Sequence, residues 1–190
     1  MASTRERMVA STALLIREKG ARATSIDDVL AHSGAPRGSV YHHFPGGREQ
    51  LLEEATDFAG GYIAARISRG DGPLELLDSL IEEYREELVR TGYRAGCPIV
   101  AVAVEAGEPG SRLHEHAAAA FAEWRALLTE RLVAEGVAAG RADELAVMVI
   151  AAVEGALVMA RAARDAAPLE TVHNQLRELV REELGEGRPA

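Results

Sequence analysis

The sequence predicts an all-α chain of about nine helices, with a compact three-helix segment at the N-terminus and a larger helical body after it. Three observations predict this. Apolar residues recur at three- and four-residue spacing along most of the 190 residues, with no sustained apolar–polar alternation. Glycine and proline interrupt the pattern in clusters, at Gly34-Ala35-Pro36, Pro45-Gly46-Gly47, Gly70-Asp71-Gly72-Pro73, Gly96-Cys97-Pro98 and Gly107-Glu108-Pro109-Gly110. Residues 24–44 read as two short helices around a tight turn, a helix-turn-helix.

Taken in order, Arg5 to Lys19 forms the first helix, with Val9, Ala13 and Ile16 on one face and Gly20 as its stop. Thr24 and Ser25 each stand where an N-cap is wanted, and Asp27 and Asp28 suit the positive end of a helix dipole. Ile26, Val29 and Leu30 share a face, and Ser33-Gly34 ends that helix because glycine takes a left-handed conformation cheaply. Pro36 suits the first turn of the next helix. There Val40 and Phe44, four apart, point inward and leave Arg37, Gly38, Ser39, Tyr41, His42 and His43 outside. That outer set offers hydrogen-bond donors, a small residue for close approach and an aromatic hydroxyl, which suits a helix laid against phosphates and base edges. A plain helical hairpin with a polar face is the bland alternative.

The body continues as helices. One starts near Arg48 and carries Leu51, Leu52, Ala55, Phe58, Ala59 and Tyr62. Leu74 to about Arg90 turns Leu77, Leu80, Ile81, Tyr84 and Leu88 inward, and a short apolar helix follows Pro98. Ser111 to Glu135 is long, with Leu113, Phe121, Trp124, Leu128 and Leu132. Two more helices, about 142–164 and 169–184, precede a frayed tail at 185–190. Leu145 to Ala160 is the most apolar run. Sixteen residues and a central Glu154 argue against a membrane span, and a helix apolar on nearly all sides is otherwise buried on nearly all sides. Ala151, Ala152, Gly155, Ala156 and Ala160 permit close approach of a second helix, from the chain's own core or from another copy.

The net charge of −9 divides unevenly: residues 1–50 hold seven Lys/Arg against five Asp/Glu, and the remainder fourteen against twenty-five. The N-terminal segment is therefore the end that a polyanion would meet, and a +2 module needs a second copy for useful affinity. One cysteine excludes an internal disulfide and suits a reducing compartment, and the polar stretch Met1 to Arg7 does not read as a signal peptide. The location expected is cytoplasmic. Cys97 before a proline at a helix start reads either as a redox-sensitive thiol or as a small residue at a cap. His114 and His116, two apart, face different ways on a helix, so no metal site is expected, and no cofactor. Phosphate-loop, zinc-protease and nucleophile-elbow signatures are absent, so no enzyme is expected.

Several segments match a known pattern: Ala13, Leu15, Ile16 and Lys19-Gly20; Thr24-Ser25-Ile26 and Asp28-Val29; Ser33-Gly34; Gly38 to Phe44; and Arg48 to Leu52. On these, residues 8–52 resemble the N-terminal domain of the TetR family of bacterial transcriptional repressors. The runs Gly34 to Ser39, His42 to Gly47 and Gly96-Cys97-Pro98 resemble its LmrA/YxaF branch. The resemblance implies a DNA-binding domain at 1–47 and a ligand-binding and dimerisation domain at 48–190. It also implies a homodimer through the last two helices, a near-palindromic operator DNA and a small-molecule effector, with control of an efflux or detoxification gene. Arg37 and Ser39 become candidates for base or backbone contacts. Tyr41 and His42 look like a phosphate-contacting pair, joined by Gly38 and His43, with Thr24, Ser25 and Arg48 on the flanks. The family usually has lysine where this chain has Arg48.

Of eight aromatic residues, none follows Trp124. Phe58, Tyr62, Tyr84, Phe121 and Trp124 are candidates to line a pocket, or simply to fill the core. Glu105 and Glu154 each interrupt or end an apolar stretch, where a carboxylate needs a partner. Both are candidate ligand contacts, and Glu154 has the alternative of pairing with Arg161 or across a dimer. A binding module without DNA function, or a helical adaptor, leaves the Arg37-to-His43 surface unexplained.

Overall fold

A computed structural model describes residues 2–69, 72–105 and 111–185, and among these every regular element is a helix. The helices are α1 (Thr4–Lys19), α2 (Ile26–Ser33), α3 (Ser39–His43), α4 (Gly47–Arg69), α5 (Pro73–Arg90), α6 (Pro98–Glu105), α7 (Arg112–Ala134), α8 (Ala139–Ala163) and α9 (Ala167–Glu183). The chain gathers into two compact units. One holds the described residues up to Tyr62 together with those from Arg94 to Phe121; the other holds Ile63 to Tyr93 and the described residues from Ala122 onward. This grouping cuts across the 47/48 division. The clusters expected at 70–71 and 107–110, and most of the tail, lie outside the described residues.

Local chemistry sets the first unit. Ser3 and Glu6 close a capping box on α1, and Ser25 and Asp28 close one on α2. Gly34 takes the left-handed conformation (φ 65°, ψ 21°) and ends α2 with its N–H on the Leu30 carbonyl. Helix α3 does not begin at Pro36. The Pro36 carbonyl accepts the Ser39 N–H at 2.9 Å and the Ser39 hydroxyl at 2.6 Å, which closes a turn first and delays the helix to Ser39. Met8, Ile16, Val29, Val40, Phe44 and Leu51 are almost fully buried and form the core beneath α1–α4. Further along, a Cβ at Gly60 would lie 2.9 Å from the Ala120 Cβ, so glycine there lets α4 and α7 approach closely.

In the second unit Pro73 opens α5, with Gly72 as N-cap. Leu74, Leu132, Val137, Ala142, Leu145 and Val180 form one buried cluster, flanked by Val149, Leu179 and Leu184. Helix α9 packs against both α5 and α8. Arg177 donates to both carboxylate oxygens of Asp78 (2.9 and 3.1 Å) and His173 Nε2 lies 2.7 Å from it, bracing α9 to α5. Arg125 pairs with Asp143, and Arg141 with Glu183.

Helix α8 has two apolar faces. Ala142, Leu145, Ala146, Ala156, Leu157 and Ala160 are buried, while Val147, Met148, Ala151, Gly155, Val158, Met159 and Ala162 form an exposed stripe at helical spacing. With 25 residues and a mean hydropathy of 2.0 over its most apolar stretch, α8 is long enough to cross a membrane. The helix is thus longer than the sixteen-residue apolar run within it. Against a span stand Arg141, Asp143, Glu144, Glu154 and Arg161 along the helix and its packing on α9 and α5.

Candidate DNA-binding surface and interior cavity

The turn between α2 and α3 sets out the polar surface. Val40 and Phe44 are wholly buried and fix α3, and the Phe44 N–H closes the helix on the Val40 carbonyl at 2.7 Å. Arg37, Gly38, Tyr41 and His42 are exposed; Ser39 and His43 are half-buried. Tyr41, at 68% exposure, is the most exposed of the Phe, Tyr and Trp side chains among the described residues. The Arg37 guanidinium donates to Asp27 Oδ1 at 3.0 Å, both side chains standing well out. The His42 and His43 rings meet edge-on, 4.9 Å apart.

The flanking candidates sit differently. Thr24 is buried and its hydroxyl donates to the Gly20 carbonyl at 2.7 Å. Ser25 caps α2 and shares Asp28 with Lys19. The hydrogen bond and charge of Lys19, then the Ser25 hydroxyl and N–H, hold the Asp28 carboxyl well below its ordinary value. Arg48 turns inward: Nε donates to the Thr24 carbonyl at 2.8 Å, and Nη2 to those of Ala21 and Arg22. Thr24 and Arg48 thus brace the α1–α2 turn from within, while Ser25 is exposed.

The same turn is gripped from its other side. Glu105, at the end of α6, accepts the Arg22 N–H at 2.9 Å, and Arg22 Nε donates to the Glu105 carbonyl at 2.9 Å. Ahead of α6, Arg17 and Gly96 exchange two hydrogen bonds of 2.9 Å, from the Gly96 N–H and from Arg17 Nε. Helix α6 is thus tied at both ends to the region from Arg17 to Arg22. Sequence reasoning did not find this, because its partners lie some eighty residues apart.

In the second unit a cavity of about 80 Å³ opens between the C-terminal part of α4, α5, α7, α8 and α9. Its walls are almost entirely apolar, with Ile63, Ile67, Leu77, Leu80, Ile81, Leu128, Val149, Ile150 and Val153 among them. Tyr84, Trp124 and Glu154 also line it, as does Arg131, whose Nη1 donates to the Ile67 carbonyl at 2.8 Å. The structure thus brings together three of the seven residues considered for a pocket. Phe58 and Tyr62 are half exposed and belong with Phe121 and Glu105 to the other unit. Cys97 is buried, and no group of residues suited to hold a metal occurs among the described residues.

Comparison with known proteins agrees with this architecture. Residues 9–55 match the family model for bacterial regulatory proteins of the tetR family, and residues 73–175 that for the C-terminal domain of LmrA/YxaF-like transcriptional regulators. The chain is 55% identical over 191 residues to an uncharacterized HTH-type transcriptional regulator of Mycobacterium tuberculosis, Rv0196, covering 98% of each. It is 29% identical to the HTH-type transcriptional regulator LmrA of Bacillus subtilis, covering 94% of this chain and 97% of that one. Among solved structures, a TetR transcriptional regulator from Legionella pneumophila superposes with a TM-score of 0.81 at 23% identity, covering 94% and 98%. One from Chloroflexus aurantiacus gives 0.71 at 29%, covering 95% of each chain. The helix-turn-helix that carries Arg37 to His43, the helices that follow it and these matches identify the chain as a member of the TetR family of bacterial transcriptional regulators, in its LmrA/YxaF-like branch and not an enzyme.

Proposed function

We propose that this regulator binds a near-palindromic operator as a homodimer and releases it when a small apolar or aromatic molecule enters the cavity of the C-terminal body. The observation that carries the reading is the outer face of α3, where Arg37, Gly38, Tyr41 and His42 stand exposed over a buried Val40–Phe44 anchor. Arg37 reads bases, and Tyr41 and His42 bind phosphates, with Ser39 and His43 beside them. Thr24, Ser25 and Arg48 act from behind, by holding the turn that aims the helix. The exposed stripe of α8 supports a second copy as its occupant, since an apolar face of that length asks for burial. Two copies of α3 then enter successive major grooves about 34 Å apart. Residues 1–47 serve DNA and 48–190 serve sensing and pairing, in a cytoplasmic protein that controls an efflux or detoxification gene.

Cavity size suggests how release works. Sites for drug-sized ligands are roughly 300–1,000 Å³, so at about 80 Å³ this cavity must widen to accept one. Widening pushes on Ile63 and Ile67 of α4, whose other end holds the α1–α2 turn through Arg48. A coupling of ~1–3 kcal/mol loosens DNA by about 5–150-fold, and DNA weakens the ligand by the same factor.

The test is fluorescence anisotropy on duplexes from upstream of the protein's own and neighbouring genes, across a salt series, with an Arg37→Ala/Tyr41→Phe double variant as control. Tight, selective binding that the control loses, and that an apolar ligand reverses, supports the proposal. Binding that is weak and equal on all duplexes, or a ligand that fills the cavity and leaves DNA affinity unchanged, overturns it.

A further inference from the structure

Two adjacent acids open α2, and they do different work. Asp28 closes the cap with Ser25 and pairs with Lys19, so helix architecture accounts for it. Asp27 pairs instead with Arg37 across the α2–α3 turn, its Oδ1 3.0 Å from Nη2, with side chains 74% and 84% exposed. A pair this exposed adds little to stability. It also stands where a carboxylate is costly, because an acid beside a duplex repels phosphates whatever the sequence.

Base-edge chemistry gives that cost a return. In the major groove the guanidinium of arginine matches the O6 and N7 acceptors of guanine, and a carboxylate accepts from the N4 amino group of cytosine. A carboxylate facing guanine or thymine meets acceptors and is repelled. Tied by their ion pair, Arg37 and Asp27 present donors and an acceptor side by side, which complements a guanine and a cytosine on neighbouring base pairs. The pair also holds the guanidinium before DNA arrives.

We infer that Asp27 is a specificity-determining residue: it aims Arg37 at guanine and, through its own charge, rejects duplexes that place the donor-free edge of guanine or thymine beside that guanine, favouring cytosine there. The inference rests on α3 being the DNA-facing helix. Asp27 lowers affinity for all DNA and raises the difference between right and wrong sequences, which is selection by repulsion as well as attraction.

The experiment is selection from a random-sequence duplex library with the full-length wild type, Asp27→Asn, Asp27→Glu and Arg37→Ala. Anisotropy titrations on the enriched duplex and on the unselected pool follow, and thermal melts check folding. The wild type is expected to enrich half-sites with a guanine and an adjoining cytosine. Asp27→Asn is expected to bind the unselected pool more tightly, keep the guanine and lose the cytosine, with a ratio of enriched to unselected affinity lowered by about tenfold, the scale of one base contact. Asp27→Glu keeps the charge and shifts the position selected, and Arg37→Ala loses the guanine. If Asp27→Asn enriches the same site with an unchanged ratio, the pair is a surface ion pair only and the inference is overturned while DNA binding stands. A wild type that enriches nothing overturns the DNA-binding reading and this inference with it.

Discussion

Glu105 occupies the place of a side chain that Gly20 lacks. A Cβ built on Gly20 would lie 1.9 Å from Glu105 Oε1, and from that position the carboxylate receives the Arg22 N–H. The Gly20 backbone (φ 88°, ψ 164°) lies in a region almost confined to glycine. Gly20→Ala therefore forces a strained backbone and expels Glu105. The expected loss is ~1–3 kcal/mol, read as a drop of several degrees in the thermal midpoint. Adding Glu105→Ala removes the clash but not the strain, so the double variant recovers only part of the loss.

Arg48 gives a second test, because its two possible jobs differ in salt dependence. A phosphate contact contributes about one unit to the slope of log affinity against log salt. A guanidinium spent on the carbonyls of Ala21, Arg22 and Thr24 contributes none. Arg48→Gln removes both the charge and the fork that serves several acceptors. The expected result is weaker operator binding with an unchanged salt slope and faster hydrogen exchange around residues 21–25. A slope reduced by one would assign Arg48 to a phosphate.

Trp124 is the chain's one tryptophan, and it is buried in the cavity wall. An apolar effector should therefore change its emission in proportion to occupancy. Val153→Phe fills the space from α8 at a cost of about 1–3 kcal/mol for overpacking. In a fluorescence titration it should abolish the response to ligand and leave operator affinity near wild type. An undiminished response would put the ligand elsewhere.

The exposed stripe of α8 predicts the effect of a charge placed on it. Val158 and Met159 are both more than half exposed in the isolated chain. Val158→Glu should leave the helix content intact, convert a dimer to monomer in sedimentation equilibrium and reduce operator affinity steeply, since one head binds weakly alone.

Acid should loosen the second unit through Asp78. Burial pushes its carboxyl up, but the hydrogen bonds and charges of Arg177 and His173 outweigh that and hold it below its ordinary value of 3.8. A depressed value means that the bridge stabilises fully above the ordinary carboxylate range and is lost as pH falls through the lower, folded value. Asp78→Asn should lower stability at neutral pH and flatten the pH dependence of the melting temperature at the acid end.

How far the sequence could be read depended on how local each cause is. The cap at Ser25, the stop at Gly34 and the Val40–Phe44 anchor are set by residues within five positions of one another, and they were legible. Pro36 misled by one turn because its carbonyl is taken up by Ser39. The faces of α4 were not legible: it is apolar on several sides, so nothing in its spacing says that Ile63 and Ile67 turn to the cavity while Phe58 and Tyr62 turn to solvent. Glu105 was noticed as an acid closing an apolar helix, but its partners are set by the tertiary fold.

The two-faced character of α8 carries a further consequence for how much of this regulator persists. If a second copy covers the outward stripe, folding and pairing share one equilibrium, and the stability of each copy rises with the number of copies present. A chain diluted below its dissociation constant then exposes Val147, Met148, Val158 and Met159 at once, a surface of the kind that chaperones and proteases triage. Abundance would thus be self-reinforcing above a threshold and self-limiting below it, with the threshold written into one helix.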